Sequence, residues 1–283
     1  MALPTKASGA GPTIKGKRLG SERYNVRSSS ASSADRNEIS ANAEPDRKHV
    51  VRLLMSLTYA IPDIHGRLDL LDAATDRIVN HSAGNSATVI VLGDYIDRGP
   101  NSGQVLDRLM SWKSEKLRLV CLKGNHEAMM WAVCHNHAEL KWWVENGGDR
   151  TLASYGSEHC DPRSVPSAHL DWIGDLPLMH VDRHRVFVHA AVDPDLSLDQ
   201  QSERTLLWKR YPDGYALGLG TRHVVHGHHA NPKAPIVTKG KTNLDGLAWK
   251  TGRLVVGVFD DERAGGAAKF LEVMGPAADQ PAP

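Results

Sequence analysis

The sequence predicts an α/β fold: one domain over residues 55–275 that begins with parallel βα units and ends in short, mixed strands. Three observations carry this. Apolar runs at 57–61, 88–92 and 117–122 are each followed by residues at helical spacing. Each run stops at residues that ligate metals. Asp94 comes 31 positions after Asp63, and Asn125 31 after Asp94, the length of one βαβ step.

Residues 1–54 read as a disordered extension, because Ser, Ala, Gly and dispersed charges offer too little apolar surface to offset the entropy of ordering. A basic tail for nucleic acid or membrane is the competing reading, and a true start at Met55 is a third. After the first strand, Leu68, Leu71, Ala74 and Ile78 recur at helical spacing. Pro100 and Asn101 mark the start of a second helix, with Val105, Leu106, Leu109 and Met110 on one face. A third helix is expected over 128–137, and a further helical stretch over 140–154 with a break at Gly147-Gly148. Prolines flank a helix expected over 161–177, and another is expected over 200–207. Short strands are expected at 186–188, 223–225, 254–259 and 269–273, separated by turn residues as in a mixed sheet. Residues 276–283 read as a frayed tail.

Composition narrows the function classes. The formal net charge is +1, but residues 1–50 hold nine Lys/Arg against five Asp/Glu, which leaves 25 against 28 elsewhere, a net of −3. Bulk charge therefore gives the folded part no attraction for nucleic acid. No run of 18 apolar residues exists, so no membrane span is expected, and Arg52 interrupts the only stretch resembling a signal peptide. Three cysteines at 121, 134 and 160 match no metal spacing and fit a reducing cytoplasm.

Chemistry concentrates at the strand ends. The first strand leads into Asp63-Ile64-His65-Gly66, the second into Gly93-Asp94-Tyr95-Ile96-Asp97-Arg98-Gly99, and the third into Gly124-Asn125-His126-Glu127. Adjacent parallel strands bring such positions together at the carboxyl edge of the sheet. His189 and His228 follow apolar strands in the second half. Each motif alone has an ordinary reading: a chance Asp-x-His, a turn, or a helix cap for Gly-Asn-His-Glu. Together, at even spacing, they describe a mixed oxygen and nitrogen donor set suited to Mn, Fe or Zn. Asp94, central and with two carboxylate oxygens, is suited to bridging two ions. Trp142 and Trp143 read as core.

At these motifs the sequence resembles the phosphoprotein phosphatase family of calcineurin-like metallophosphoesterases, and most the bacterial and phage serine/threonine phosphatase branch. The resemblance covers residues 57–273. It implies a calcineurin-like fold, a central mixed β-sandwich flanked by helices (αββα). It also implies two divalent metal ions, manganese ahead of iron, zinc, nickel or magnesium. One ion would be held by Asp63, His65 and Asp94, the other by Asp94, Asn125, His189 and His228. His126, oriented by Asp97, would be the general acid, a metal-activated water the nucleophile, and Arg98 and Arg210 the phosphate grips. His226, His228 and His229 compete for one ligand position, and His228 is preferred because the family ligand follows a glycine. Pro62, Ala191 and His229 depart from the family pattern, at positions beside the ligands.

The function so implied is that of a metal-dependent phosphomonoester hydrolase acting on phosphoserine and phosphothreonine in proteins. Glu127 favours this reading, since the dinucleotide hydrolases of the superfamily carry aspartate there. The alternative is symmetrical diadenosine tetraphosphate (bis(5'-nucleosyl)-tetraphosphate) hydrolysis. A third reading is a non-catalytic regulatory binding module. Expected partners are thus a phosphorylated protein, or a phosphorylated small molecule or nucleotide, with neither nucleic acid nor membrane.

Overall fold

A computed structural model describes residues 56–278. The expectations for residues 1–54, and for the tail beyond 278, lie outside the described residues. Two five-stranded mixed sheets form the centre. In chain order the elements are β1 (Leu57–Ile61), α1 (Leu68–Ser82), β2 (Ala87–Val91), α2 (Ser102–Met110), β3 (Leu117–Cys121) and α3 (Asn125–Cys134). Then follow α4 (Leu140–Trp143), a π-helical turn (Val144–Gly148), α5 (Asp149–Ser154), α6 (Ser167–Gly174), β4 (Met179–Val181), β5 (Arg185–Val188) and α7 (Glu203–Trp208). The chain closes with β6 (His223–His226), β7 (Ile236–Val237), β8 (Lys241–Asn243), α8 (Ala248–Thr251), β9 (Arg253–Asp260) and β10 (Lys269–Met274).

The first sheet runs β10-β9-β1-β2-β3, with β1, β2 and β3 parallel and β9 and β10 antiparallel to their neighbours. The second runs β4-β5-β6-β8-β7, with β5, β6 and β8 parallel at its centre. Each sheet therefore sends three parallel strands in one direction, and each set has its carboxyl ends free to carry chemistry.

Side-chain alternation explains the layers. Tyr59, Ile61, Val89 and Val91 face α1, α2 and α3 in the larger core, whereas Ala60, Ile90 and Leu92 face the other sheet. There they meet Phe187, Val225, Leu244 and Phe259. The Phe187 and Phe259 rings cross edge to face at 5.5 Å, one ring from each sheet. On the outer side of the second sheet, Val186, Val188 and Val224 pack with Val192 and Leu206. Buried on both faces, these strands need the continuous apolar runs that the sequence shows.

Several boundaries differ from expectation. The third helix starts at Asn125, three residues early, because Glu127 closes a capping interaction with the Gly124 amide. The stretch expected as one helix over 161–177 divides into a short 3-10 turn, Pro162–Ser164, and α6. Pro166 holds the preceding residue extended and separates them. The helix expected over 200–207 likewise begins at Glu203, capped by the Ser202 hydroxyl. Strands β4, β7 and β8, of two or three residues, went unpredicted. At the chain's end the Ala278 amide donates to the Lys250 carbonyl, so residues 276–278 lie against α8.

Candidate metal centre

The free carboxyl ends of the two parallel strand sets meet. Asp63 and His65 follow β1, Asp94 follows β2, Asn125 follows β3, His189 follows β5 and His228 follows β6. All six lie in the interior or close to it. Asp94 is the hub: its carboxylate oxygens lie 3.3 Å from His189 Nε2 and 3.6 Å from His65 Nε2. Two donor groups share it, His65-Asp94-His126 and Asp94-His189-His228. Of the three competing histidines, only His228 enters a group.

The backbone is bent to achieve this. Among the described residues nine non-glycine residues have positive φ, and five of them are His65, Asp94, Asp97, Arg98 and His228. Such conformations cost on the order of 1–3 kcal/mol each and cluster where function over-determines geometry. Glu127 secures the loop after β2. Fully buried, it accepts from the amides of Asp94 (2.8 Å), Tyr95 (2.8 Å) and Gly124 (2.9 Å). Gly124 cannot be larger, since a Cβ there would fall on the Asp94 amide and carboxylate.

Imidazole protons are already committed, which aims lone pairs inward. His65 Nδ1 donates to the Ile96 carbonyl at 2.7 Å, and His189 Nδ1 to the Leu92 carbonyl at 3.0 Å. His228 is held at its other edge by the Trp208 carbonyl. Asn125 Oδ1 then sits 2.8 Å from His189 Nε2 and 2.9 Å from His228 Nδ1. Three acceptor atoms converging in a dry interior repel one another unless a cation lies among them, so the donor set fits a metal ion. On the opposite side the positive charge comes from Arg98, whose guanidinium donates to His65 Nε2 at 2.7 Å and His126 Nε2 at 2.9 Å.

The acidic groups show the same need. Burial raises Asp63 and Asp94 well above the usual carboxylate range, and the charge of Asp245 adds to the first and those of Asp63 and Glu127 to the second. Burial likewise pushes Asp97 and Glu127 up to about 7. Burial and the Arg98 charge hold His65 and His126 neutral, with pKa values well below the ordinary one. A prediction follows for metal-free protein above pH 7. There unfolded histidine is largely neutral too, whereas about half of the Asp97 and Glu127 carboxyls still hold a proton at pH 7, and only in the folded state, so their contribution to stability falls as pH rises through 7. Asp97 and Glu127, each about half protonated at pH 7, should together cost about 0.8 kcal/mol between pH 7 and 8.5, read by urea unfolding after chelation. A rise in stability over that window would contradict the raised carboxyls.

Asp97, with 0 % exposure, anchors the remaining chemistry. It accepts from His126 Nδ1 (2.6 Å), Thr151 Oγ1 (2.6 Å) and Trp143 Nε1 (3.0 Å to each oxygen). Sequence reasoning treated Trp143 as core and did not single out Thr151. The π-helical turn brings both over the loop: at Gly147 φ is +103°, and its carbonyl accepts from the Arg98 amide at 3.1 Å. Asp245 falls in the segment Asn243-Leu244-Asp245-Gly246, which the sequence resemblance suggests is structural, and was not expected at the site. It is buried, raises the Asp63 pKa by its charge, and follows β8 as Asp94 follows β2, which is the signal that could have found it. Arg210 is exposed and near enough for its charge to lower His228 and His229. Trp143→Phe should leave metal content unchanged and lower turnover about tenfold, because Asp97 loses a buried donor and His126 its fixed orientation. Unchanged turnover would show that Thr151 alone suffices.

This geometry belongs to an enzyme class. Residues 58–260 match the family model for calcineurin-like phosphoesterases. The chain belongs to that family, and is accordingly a hydrolase with the α/β fold expected from its motifs. Symmetrical bis(5'-nucleosyl)-tetraphosphatases are among its relatives. The one from Pseudomonas putida (strain GB-1) is 30% identical over 145 residues, 50% of this chain and 45% of that protein. The one from Pseudomonas fluorescens (strain SBW25) is 32% identical over 143 residues, 50% of this chain and 45% of that protein. The chain thus spans about half the length of the curated relatives it matches. In fold it resembles a protein serine/threonine phosphatase from Saccharomyces cerevisiae, with TM-score 0.52, 14% identity, and 81% of this chain and 82% of that one covered. A cold-active protein-tyrosine phosphatase from a Shewanella species gives TM-score 0.53 at 15% identity, covering 71% and 75%.

Proposed function

We propose that this chain hydrolyses dinucleoside polyphosphates at a dinuclear metal centre, cleaving diadenosine tetraphosphate symmetrically into two molecules of ADP. The observation that carries the metal centre is the convergence of inward-facing lone pairs on Asp94 and Asn125 from both sheets. The nucleotide half of the reading is supported by the similarity to symmetrical bis(5'-nucleosyl)-tetraphosphatases. Glu127, the sequence hint for a phosphoprotein substrate, lies wholly inside as a backbone acceptor and bears on no substrate.

Asp63, His65 and Asp94 would hold one divalent ion, and Asp94, Asn125, His189 and His228 the other, with manganese suited to the mixed donors. When bound, the two ions neutralise the phosphoryl oxygens and generate the attacking nucleophile from water. Arg98 and Arg210 grip the phosphates, Arg98 with a planar fork suited to two oxygens. His126, once protonated at Nε2 and stabilised as an imidazolium by Asp97 through Nδ1, delivers that Nε2 proton to the leaving oxygen and returns to the neutral ring. As Arg98 turns to a phosphate, one cause of the low His126 pKa is removed. Three thiols without a disulfide suit a reducing cytoplasm.

The test is one assay with manganese-loaded protein, comparing diadenosine tetraphosphate with a phosphoserine peptide. ADP as the sole nucleotide product, formed faster than peptide is dephosphorylated, is expected. Faster peptide turnover would make the chain a protein phosphatase, and AMP plus ATP would exclude symmetrical cleavage.

A further inference from the structure

Behind the metal ligand His228 lies a cavity of about 230 Å³, lined by residues of the loop after α7 and by β6 and β8. Drug-sized ligands fill roughly 300–1,000 Å³, so this space suits one ring or group of a larger substrate. The run His226-Gly227-His228-His229 divides the two regions: His228 meets Asn125, while His226 and His229 line the cavity. Tyr211, also in its wall, directly follows the phosphate-gripping Arg210.

The lining mixes polar and apolar groups, with Asp213, Asn231, Thr238 and Asn243 beside those that follow. His226 is fully buried, and its Nε2 has no hydrogen-bond partner. Its Nδ1 donates to the Gly227 carbonyl at 2.9 Å, so Nε2 offers a lone pair. The Tyr215 hydroxyl is also buried without a partner. Lys241 is 8 % exposed, places Nζ 4.9 Å from the centre of the Tyr211 ring, and pairs with no carboxylate among the described residues. Pro212 and Ile236 supply apolar wall. A phosphate would need donors on every side, and the His226 lone pair would oppose it. A planar heterocycle with an amino group beside a ring nitrogen satisfies all three: the amino group donates to His226, and ring nitrogens accept from Lys241 and Tyr215.

We propose that this cavity receives the adenine ring of the substrate, with His226, Lys241 and Tyr215 reading its amino and ring-nitrogen edge. The inference rests on the dinucleotide reading above and adds to it the site that selects the base. Leaving these buried polar groups unpaired by a substrate without the base costs affinity, as in other sites built to hydrogen-bond a ligand.

The probe pair is α,β-methylene-ADP and methylenediphosphonate, which carry the same uncleavable phosphonate with and without adenosine. Calorimetry on the manganese-loaded protein is expected to show the nucleoside form binding about tenfold tighter or more. In Lys241→Met and Tyr215→Phe that advantage should shrink to about threefold or less, while methylenediphosphonate binds both as it does wild type. Tyr215→Phe removes one hydroxyl and guards against a folding defect in the lysine variant. No advantage in wild type, or an advantage surviving both substitutions, overturns the proposal. Cleavage of diadenosine tetraphosphate by wild type, with the base advantage unmoved in the variants, sinks the cavity alone. Base-dependent binding without such cleavage sinks the dinucleotide reading alone.

Discussion

Asp94→Asn is expected to lose most bound metal and to lower turnover by about 10³-fold or more. Asp94 is the residue shared by both donor groups, so its change touches two ions at once. A lost Lewis-acid interaction is worth several kcal/mol, and about 4 kcal/mol corresponds to a factor near 10³. Asparagine keeps the shape and removes a carboxyl whose charged form burial, Asp63 and Glu127 already oppose. The metal-free variant should therefore unfold at no lower a temperature than metal-free wild type. That combination, lost metal without lost stability, separates the bridging role from a packing role. Metal analysis of dialysed protein reads it, and normal metal content in the variant would remove Asp94 from the bridge.

His126→Asn is expected to do the reverse: metal content intact and turnover lower by about 10² or more, the usual worth of a positioned acid. The side chain sits in the first turn of α3, one residue beyond Asn125, with Nδ1 on Asp97 and Nε2 toward the centre. Although His126 lies within reach of Asp94 and His65, Arg98 occupies the space before its Nε2, and Asp97 holds its other nitrogen as a proton acceptor would. A ligand role predicts lost metal instead, so one measurement of metal content divides the two. A substrate with a good leaving group such as p-nitrophenyl phosphate should suffer less than one with an alkoxide, because it needs less protonation.

The parts of the fold legible in the sequence were those whose burial leaves a local pattern. Strands β1 and β2 are buried on both faces and read as apolar runs; β7, of two half-exposed residues, leaves no pattern to read. The split of the 161–177 stretch turned on a single proline whose effect competes with good helical spacing. In the site, ligand types at strand ends were visible because topology alone gathers them. What supports them was not, since Trp143 and Thr151 reach Asp97 from 46 and 54 residues away through a helix kinked at Gly147. Nothing in the local sequence of either residue announces that contact. Asp245 was legible in principle, as one more acid at the end of a parallel strand, but β8 is only three residues long.

Arg98 ties together parts of the chain that share no local pattern. Its guanidinium donates to the inward nitrogens of His65, after β1, and of His126, in the first turn of α3, and its carbon lies 5.6 Å from the centre of the Trp249 ring in α8. One planar cation thus clasps a loop, a helix start and a late helix at once, so a substitution at position 98 is felt in all three.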